Sequence, residues 1–259
     1  MTKKTFLIDF IIPHFKDPRI IRTIKSIIHH KKSDLFRIII QDGGINSRLD
    51  ISIGKYLRAH DLHIKERDLG IFDALNKGLL RAKSPWVGWM GADDMLSPDF
   101  DILPILQADK GIGFISYTTL FFRDGKKVAS RIFKPQSSSL LRRLGCHVPH
   151  FSTFVKTPLA KKVKFNINLK IFADQIFFYD IERVSKGVIL HSCSTYMCEG
   201  GTSNKSYLQI LQTNLDIYRT FKGRCNPVYS FAYVVIKIIY KLIQTLSAFF
   251  YKCEIKYPA

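Results

Sequence analysis

Two short acidic stations carry most of the chemistry that this sequence can offer. Asp93 and Asp94 are adjacent and follow a mostly apolar run, Trp86 to Met90. A run of that length reads as a buried strand. Carboxylates just past the carboxyl end of a strand in an open α/β sheet stand where such sheets bind ligands. Paired there, they suit a hard divalent cation whose remaining ligands are phosphate oxygens and waters. The second station lies upstream. Asp68-Leu69-Gly70 is a turn running into a helix, with Asp73, Asn76 and Lys77 in that helix's first two turns. Each feature alone has a plainer explanation. An isolated Asp pair is usually a solvated turn, Asp73 could simply cap its helix, and Asn76 and Lys77 could be exposed helix residues.

The order and spacing of the whole block favour chemistry. Asp68, Gly70, Ile71, Phe72, Asp73, Ala74, Asn76, Lys77 and Gly78, then an apolar strand, then Ala92-Asp93-Asp94, resemble the nucleotide-sugar half of the inverting family-2 glycosyltransferases. Those enzymes have the GT-A fold and move a sugar from a nucleotide diphosphate to a hydroxyl. The resemblance spans roughly Phe6 to Ser203 and implies a role for each matching residue. Asp94 would hold Mg²⁺ or Mn²⁺, with Asp93 toward the ribose or the metal's waters. Asp68, Gly70, Asp73, Asn76 and Lys77 would contact the nucleotide sugar, a UDP-sugar. Pro13 and Phe15 would border the nucleotide, and Asp42 would reach the base or ribose. His150 falls at the family's His position on the acceptor or diphosphate side. Gly200, Gly201 and Ser203 resemble an element that closes near the diphosphate. Asp174 matches the catalytic base. Two departures stand out: Ile45-Asn46-Ser47 follows Gly44 where the family has Ser-x-Asp, and Phe151 replaces the usual Gln.

These residues need a frame. Phe6 to Ile12 reads as the first strand, and Asp17-Pro18 opens a helix whose Ile20, Ile21, Ile24, Ile27 and Ile28 form a core face. Arg37 to Gln41 and Leu62 to Lys65 read as strands, with a helix over Ile51 to Ala59 between them. Ser97-Pro98 predicts a second helix start. Ile112 to Ser116 is a strand, and Thr118 to Phe122 with Lys126 to Phe133 form a hairpin about Asp124-Gly125. Ser137 to Gly145 is a short basic segment on the acceptor side. Phe154 to Lys156 and Gly187 to Cys193 are strands. Asp174 opens a buried helix, either as an N-cap worth roughly 1 kcal/mol or with its carboxylate facing a cleft. The expectation is an α/β chain with a mostly parallel central sheet flanked by helices. Residues 1–205 form the catalytic domain, 1–95 for the donor and 96–205 for the acceptor, followed by a helical extension over 206–259.

The composition fits one such domain: 259 residues, 46% hydrophobic, with a formal charge of +19. That charge attracts anions without choosing among nucleotide diphosphates, anionic lipid and nucleic acid. A basic nucleic-acid binder or non-catalytic nucleotide binder would account for the charge, but no nucleic-acid module is present and neither accounts for the acidic block. A sugar nucleotidyltransferase would need a Gly-rich basic loop after the first strand, where Pro13-His14-Phe15-Lys16-Asp17 stands. No Q-x-x-R-W motif points to a processive synthase. The five cysteines lack metal-site spacing and read as reduced cytosolic thiols. Cys146, His147 and His150 have no second ligand pair, which excludes zinc. In the extension, Lys237, Lys241 and Gln244 form one polar stripe opposite a wide apolar face. Residues 229–252 therefore suit a helix lying on an anionic membrane surface, or one packed on the domain or in a homodimer. The first places the protein at the inner face of the cell membrane, close to a lipid-linked or surface-glycan acceptor.

Overall fold

The computed structural model describes residues 5–44, 47–122, 129–135, 137, 148–169 and 172–198, and further on 218, 219, 228, 231, 232, 234–236 and 239. Its backbone is one sheet. β1 (Ile8–His14), β2 (Phe36–Asp42), β3 (Leu62–Lys65) and β4 (Trp86–Trp89) pair in parallel in the order β3-β2-β1-β4. β1, β2 and β4 are buried along nearly their whole length, which is why they read as unbroken apolar runs. Connecting helices α1 (Ile20–Ile28), α2 (Ser47–Gly54) and α3 (Ile71–Arg81) lie between successive strands.

Asp9 and Arg37 are the exception to the apolar runs, and they are register partners. Arg37 donates Nε and Nη2 to the two Asp9 oxygens at 2.8 and 2.6 Å, and the Lys83 and Ser84 amides and Ser84 Oγ also donate to Asp9. A buried carboxylate is tolerable only when its lone pairs are used in this way. The network ties β1 and β2 to the connection before β4.

Beyond β4 the sheet is mixed rather than parallel. β8 (Thr153–Lys156) runs antiparallel between β4 and β6 (Ile112–Phe122). β9 (Lys186–Cys198) pairs in parallel with β6, and β5 (Met95–Leu96) pairs antiparallel with β9. β7 (Ala129–Phe133) completes the expected hairpin with β6. The turn at Asp124-Gly125 and most of the basic segment after Ser137 lie outside the described residues. α5 (Thr157–Val163) and α6 (Ala173–Val184) cover the side of the sheet that also carries α3.

Several local expectations change, and α2 (Ser47–Gly54) lies earlier than the helix expected over Ile51 to Ala59. β1 runs through Pro13 to His14. Ile11 turns its carbonyl to Met90, so Pro13, two residues on, faces β4 beyond that strand's last pairing. Its missing N–H therefore costs no ladder bond. Ser97-Pro98 starts no helix. Leu96 pairs with Thr195, the Ser97 amide donates to the Ser194 carbonyl, and buried Ser97 Oγ donates to Tyr196. Non-local pairing with β9 thus overrides the local cap signal, and α4 is confined to Leu103–Leu106. Finally, Ile112 to Phe122 is one strand where two were expected.

Of the expected C-terminal helix, Val234 packs against Phe172 and Ile176 at the start of α6, while Phe231 and Ile239 are exposed. No helix among the described residues is long and apolar enough to cross a membrane.

Candidate active site

A cleft of about 750 Å³ opens at the carboxyl ends of β1, β3 and β4. Pro13 and His14 at the end of β1 and Phe15 just after it enter the cleft, with Asp68 and Gly70 after β3 and Gly91 to Asp94 after β4. The other half of the chain supplies His150, Phe151 and Asp174, with Met197 and Cys198 at the end of β9. Both acidic stations therefore meet, and Asp174 faces into the same space.

Asp94 is only 2% exposed. Its Oδ2 accepts the Gly91 amide at 2.8 Å, and its backbone oxygen accepts Thr23 Oγ1 at 2.6 Å. Gly91 allows this turn, since a Cβ there would stand 2.7 Å from Asp94 Oδ2. Burial, with the Asp93 charge adding to it, pushes the Asp94 carboxyl up to about 7. Asp93 is more open. Arg19 Nη1 lies 3.0 Å from Asp93 Oδ2, and Arg22 Nη2 donates to the Asp93 backbone oxygen at 2.7 Å. Arg22 also reaches Cys198 Sγ at 2.7 Å.

Asp68 accepts the Gly70 amide at 3.0 Å. Gly70 has φ 122°, a conformation that favours glycine. The Asp68 carboxylate rests against Gly43, where any side chain would collide with it.

Other expected donor contacts stand outside the cleft lining. Asp73, in the first turn of α3, accepts the Leu69 amide at 3.0 Å and so ties the preceding turn to the helix. Asn76 brackets the Phe165 backbone, donating to its carbonyl at 2.8 Å and accepting its amide at 2.9 Å. Lys77 pairs with Glu66 at 3.1 Å and Asp73 at 3.4 Å. Gly78 lets α3 approach Ile11 of β1. Asp42 is buried: its oxygens face His14 Nδ1 at 3.1 Å and His63 Nε2 at 3.0 Å and accept the Gly44 amide at 2.9 Å. Burial opposes its charge, but the hydrogen bonds from His14 and His63 outweigh burial and hold the carboxyl well below the usual range. For His14 likewise, burial lowers the pKa, and Asp42 more than reverses this. His14 Nε2 lies 3.0 Å from the Asp17 amide, so this buried pair also positions the loop carrying Asp17 and Arg19.

Asp174 is the second residue of α6. The N-cap is Phe172, so Asp174 is not the cap. The first turn of a helix favours an ionised carboxylate, the form a base requires. His150 Nδ1 lies 3.9 Å from Asp174 Oδ2, and its ring stacks on Phe151 with centroids 4.6 Å apart. Gly200, Gly201 and Ser203 lie outside the described residues. Sequence reading missed His14, Asp17, Arg19, Arg22 and Cys198. The two arginines did leave a signal: Arg19 at the N-cap of α1 and Arg22 in its first turn are three apart and share a face.

The donor set fits a hard divalent cation. Asp93 and Asp94 offer only oxygens, and the buried Asp94 carboxyl is driven toward its neutral form beside Asp93, a penalty that a cation would relieve. A second group, Asp42, Asp50 and His63, brings potential ligand atoms within 4.8 Å of one another, but Lys65 already pairs with Asp50 at 2.7 Å.

A parallel α/β half joined to a mixed half, with an acidic cleft at the strand ends, defines a GT-A nucleotide-diphospho-sugar transferase fold. The family model for glycosyl transferase family 2 matches residues 9–158. The chain belongs to that family and is a glycosyltransferase. Among solved structures, residues 1–349 of S. aureus TarS match with TM-score 0.63 and 15% identity, over 90% of this chain and 71% of that one. The same TarS segment in complex with UDP-GlcNAc matches at TM-score 0.61 and 16% identity, over 90% and 72%. The mannosyltransferase PcManGT from Pyrobaculum calidifontis, in complex with GDP-Man and Mn²⁺, matches at 0.60 and 15%, over 94% and 74%. At such identities the likeness concerns the fold. No curated protein matches the chain.

Proposed function

We propose that this chain is an inverting, metal-dependent transferase that moves a sugar from a UDP-sugar to a hydroxyl of a lipid-linked or surface-glycan acceptor. One observation carries the reading: a single cleft is lined by the Asp93–Asp94 pair and the Asp68 turn on one side and by Asp174 on the other. Residues 1–95 serve the donor and 96–205 the acceptor. Phe15, 67% exposed at the rim, borders the nucleotide with Pro13. Asp42 acts on it at one remove, through His14.

Asp174 takes the proton of the acceptor hydroxyl, whose oxygen attacks the anomeric carbon from the face opposite the diphosphate. The C–O bond to the diphosphate breaks as the new one forms, so configuration inverts. Asp93 and Asp94 would hold Mg²⁺ or Mn²⁺, which supplies charge neutralisation for the leaving diphosphate. His150 beside Asp174 lines the acceptor approach, and the diphosphate-side role of Gly200, Gly201 and Ser203, which lie outside the described residues, rests on the family resemblance alone. Residues 206–259 form an extension whose segment 229–252 holds the cleft at the anionic inner face of the cell membrane.

The test is donor turnover with UDP-GlcNAc and GDP-Man, with and without Mn²⁺. Asp174→Asn is expected to bind UDP normally yet lose about 10²–10⁴-fold in transfer, the scale of a general base. Transfer at the wild-type rate would place the base elsewhere. If the protein hydrolyses neither donor but binds nucleic acid, the basic-binder reading replaces this one.

A further inference from the structure

Arg19 stands at an unusual place. It immediately precedes α1, and its guanidinium bridges two carboxylates of the cleft. Nε lies 3.0 Å from Asp17 Oδ1, Nη2 2.7 Å from Asp17 Oδ2, and Nη1 3.0 Å from Asp93 Oδ2. Its side chain is 47% exposed, and Arg19, Asp17 and Asp93 all line the cleft. One helical turn on, Arg22 grips the Asp93 backbone oxygen. The two arginines therefore divide the work: Arg22 fixes the main chain of the acidic pair, and Arg19 holds one carboxylate oxygen at the open side.

We propose that Arg19 is both a competitor for the divalent cation at Asp93 and a ligand for the donor's diphosphate. The inference rests on the donor-site reading above and adds a residue to it. The oxygen that Arg19 holds belongs to Asp93, the more exposed carboxylate of the pair. A dication on that oxygen meets a positive guanidinium at close range, so Arg19 weakens binding of the bare metal. The grip of Asp17 is stronger, because it holds two guanidinium nitrogens and accepts the Arg19 amide as well, at 2.9 Å. When a cation takes Asp93, the Asp17 contact keeps Arg19 beside the cleft, with Nη1 released. A guanidinium presented there, next to a cation-bound carboxylate, matches a diphosphate oxygen in charge and geometry. The same side chain thus opposes the metal alone and favours the metal together with a diphosphate.

The two effects have opposite signs, which a purely structural role would not produce. Mn²⁺ affinity is read by the loss of the free-ion electron paramagnetic resonance signal, and UDP affinity by calorimetry at saturating Mn²⁺. In Arg19→Met, Mn²⁺ alone is expected to bind about two- to fivefold tighter, the scale of a half-exposed ion pair. UDP is expected to bind roughly tenfold or more weakly, the scale of one charge-assisted hydrogen bond. Arg19→Lys keeps the charge without the fork and should fall between the two in both titrations. Any other pattern in Arg19→Met, including equal or weaker Mn²⁺ binding or unchanged UDP binding, overturns the proposal, and a folded Arg19→Lys at wild-type values in both titrations overturns the forked geometry on which it depends. If wild-type protein binds neither Mn²⁺ nor UDP, the donor-site reading falls first and takes this inference with it. If wild type binds both and the variants match it, only the inference falls.

Discussion

Asp94→Asn should change stability in a way that depends on pH, and the size of the change follows from the site. In the wild type, the buried carboxyl titrates near 7 in place of its ordinary 3.8. Between those values the native chain keeps a proton that the unfolded chain has shed, so stability falls as pH rises through that window and stays lower above it. At about 1.4 kcal/mol per pH unit, the full cost above pH 7 is about 4 kcal/mol, and at pH 5 it is roughly 1–2 kcal/mol. Asn carries neither cost. Any difference between the partners of the amide and those of the acid is the same at every pH and cancels in the comparison. The quantity to measure is the stability change from wild type to Asp94→Asn by urea unfolding in chelator, at pH 8.5 and at pH 5. The variant should gain about 2–3 kcal/mol more, relative to wild type, at pH 8.5 than at pH 5. Parallel curves, with a difference below about 1 kcal/mol, would falsify the claim that Asp94 is a buried, strained carboxylate.

Asp9→Asn should be strongly destabilising, by about 3–5 kcal/mol in urea, because it leaves the buried Arg37 guanidinium without its counter-charge. Asn76→Ala removes both hydrogen bonds to the Phe165 backbone and should cost about 1–3 kcal/mol by thermal or urea unfolding, with UDP affinity unchanged. A large loss of UDP affinity without loss of stability would return Asn76 to the nucleotide.

The parallel half of the fold was legible because its signals are local. β1, β2 and β4 are buried on both faces and read as apolar runs, and α1 shows its core face in the isoleucine spacing. The mixed half was less so. Whether Ser97-Pro98 begins a helix depends on β9, nearly a hundred residues away, and the insertion of β8 between β4 and β6 leaves no mark within β8 itself. The motif block shows a related limit. Asp68, Asp93 and Asp94 line the cleft, whereas Asp73, Asn76 and Gly78 from the same block tie the Asp68 turn to α3, clasp Phe165 and let α3 approach β1. A sequence pattern marks residues that the fold cannot change, and it does so equally for those that touch a ligand and those that hold the helix in place.

Net charge misleads in the same manner when read as a property of the site. The chain carries +19, yet among the described residues the cleft is lined by Asp17, Asp68, Asp93, Asp94 and Asp174 against Arg19 as the one side chain of permanent positive charge. The basic surface raises the rate at which anions arrive. Charges farther than about 8 Å from the cleft add little to holding a diphosphate there, because they are largely screened at physiological ionic strength. Binding an anionic donor there requires positive charge carried in at short range. Beside Arg22, which is already engaged by the Asp93 backbone oxygen, this geometry offers a divalent cation on Asp93 and Asp94 and the Arg19 guanidinium once Asp93 no longer holds it. On the proposed reading, a cleft built this way would repel a metal-free nucleotide sugar and accept the same molecule as its cation complex, so the acidic lining would itself select the form of the donor that reacts.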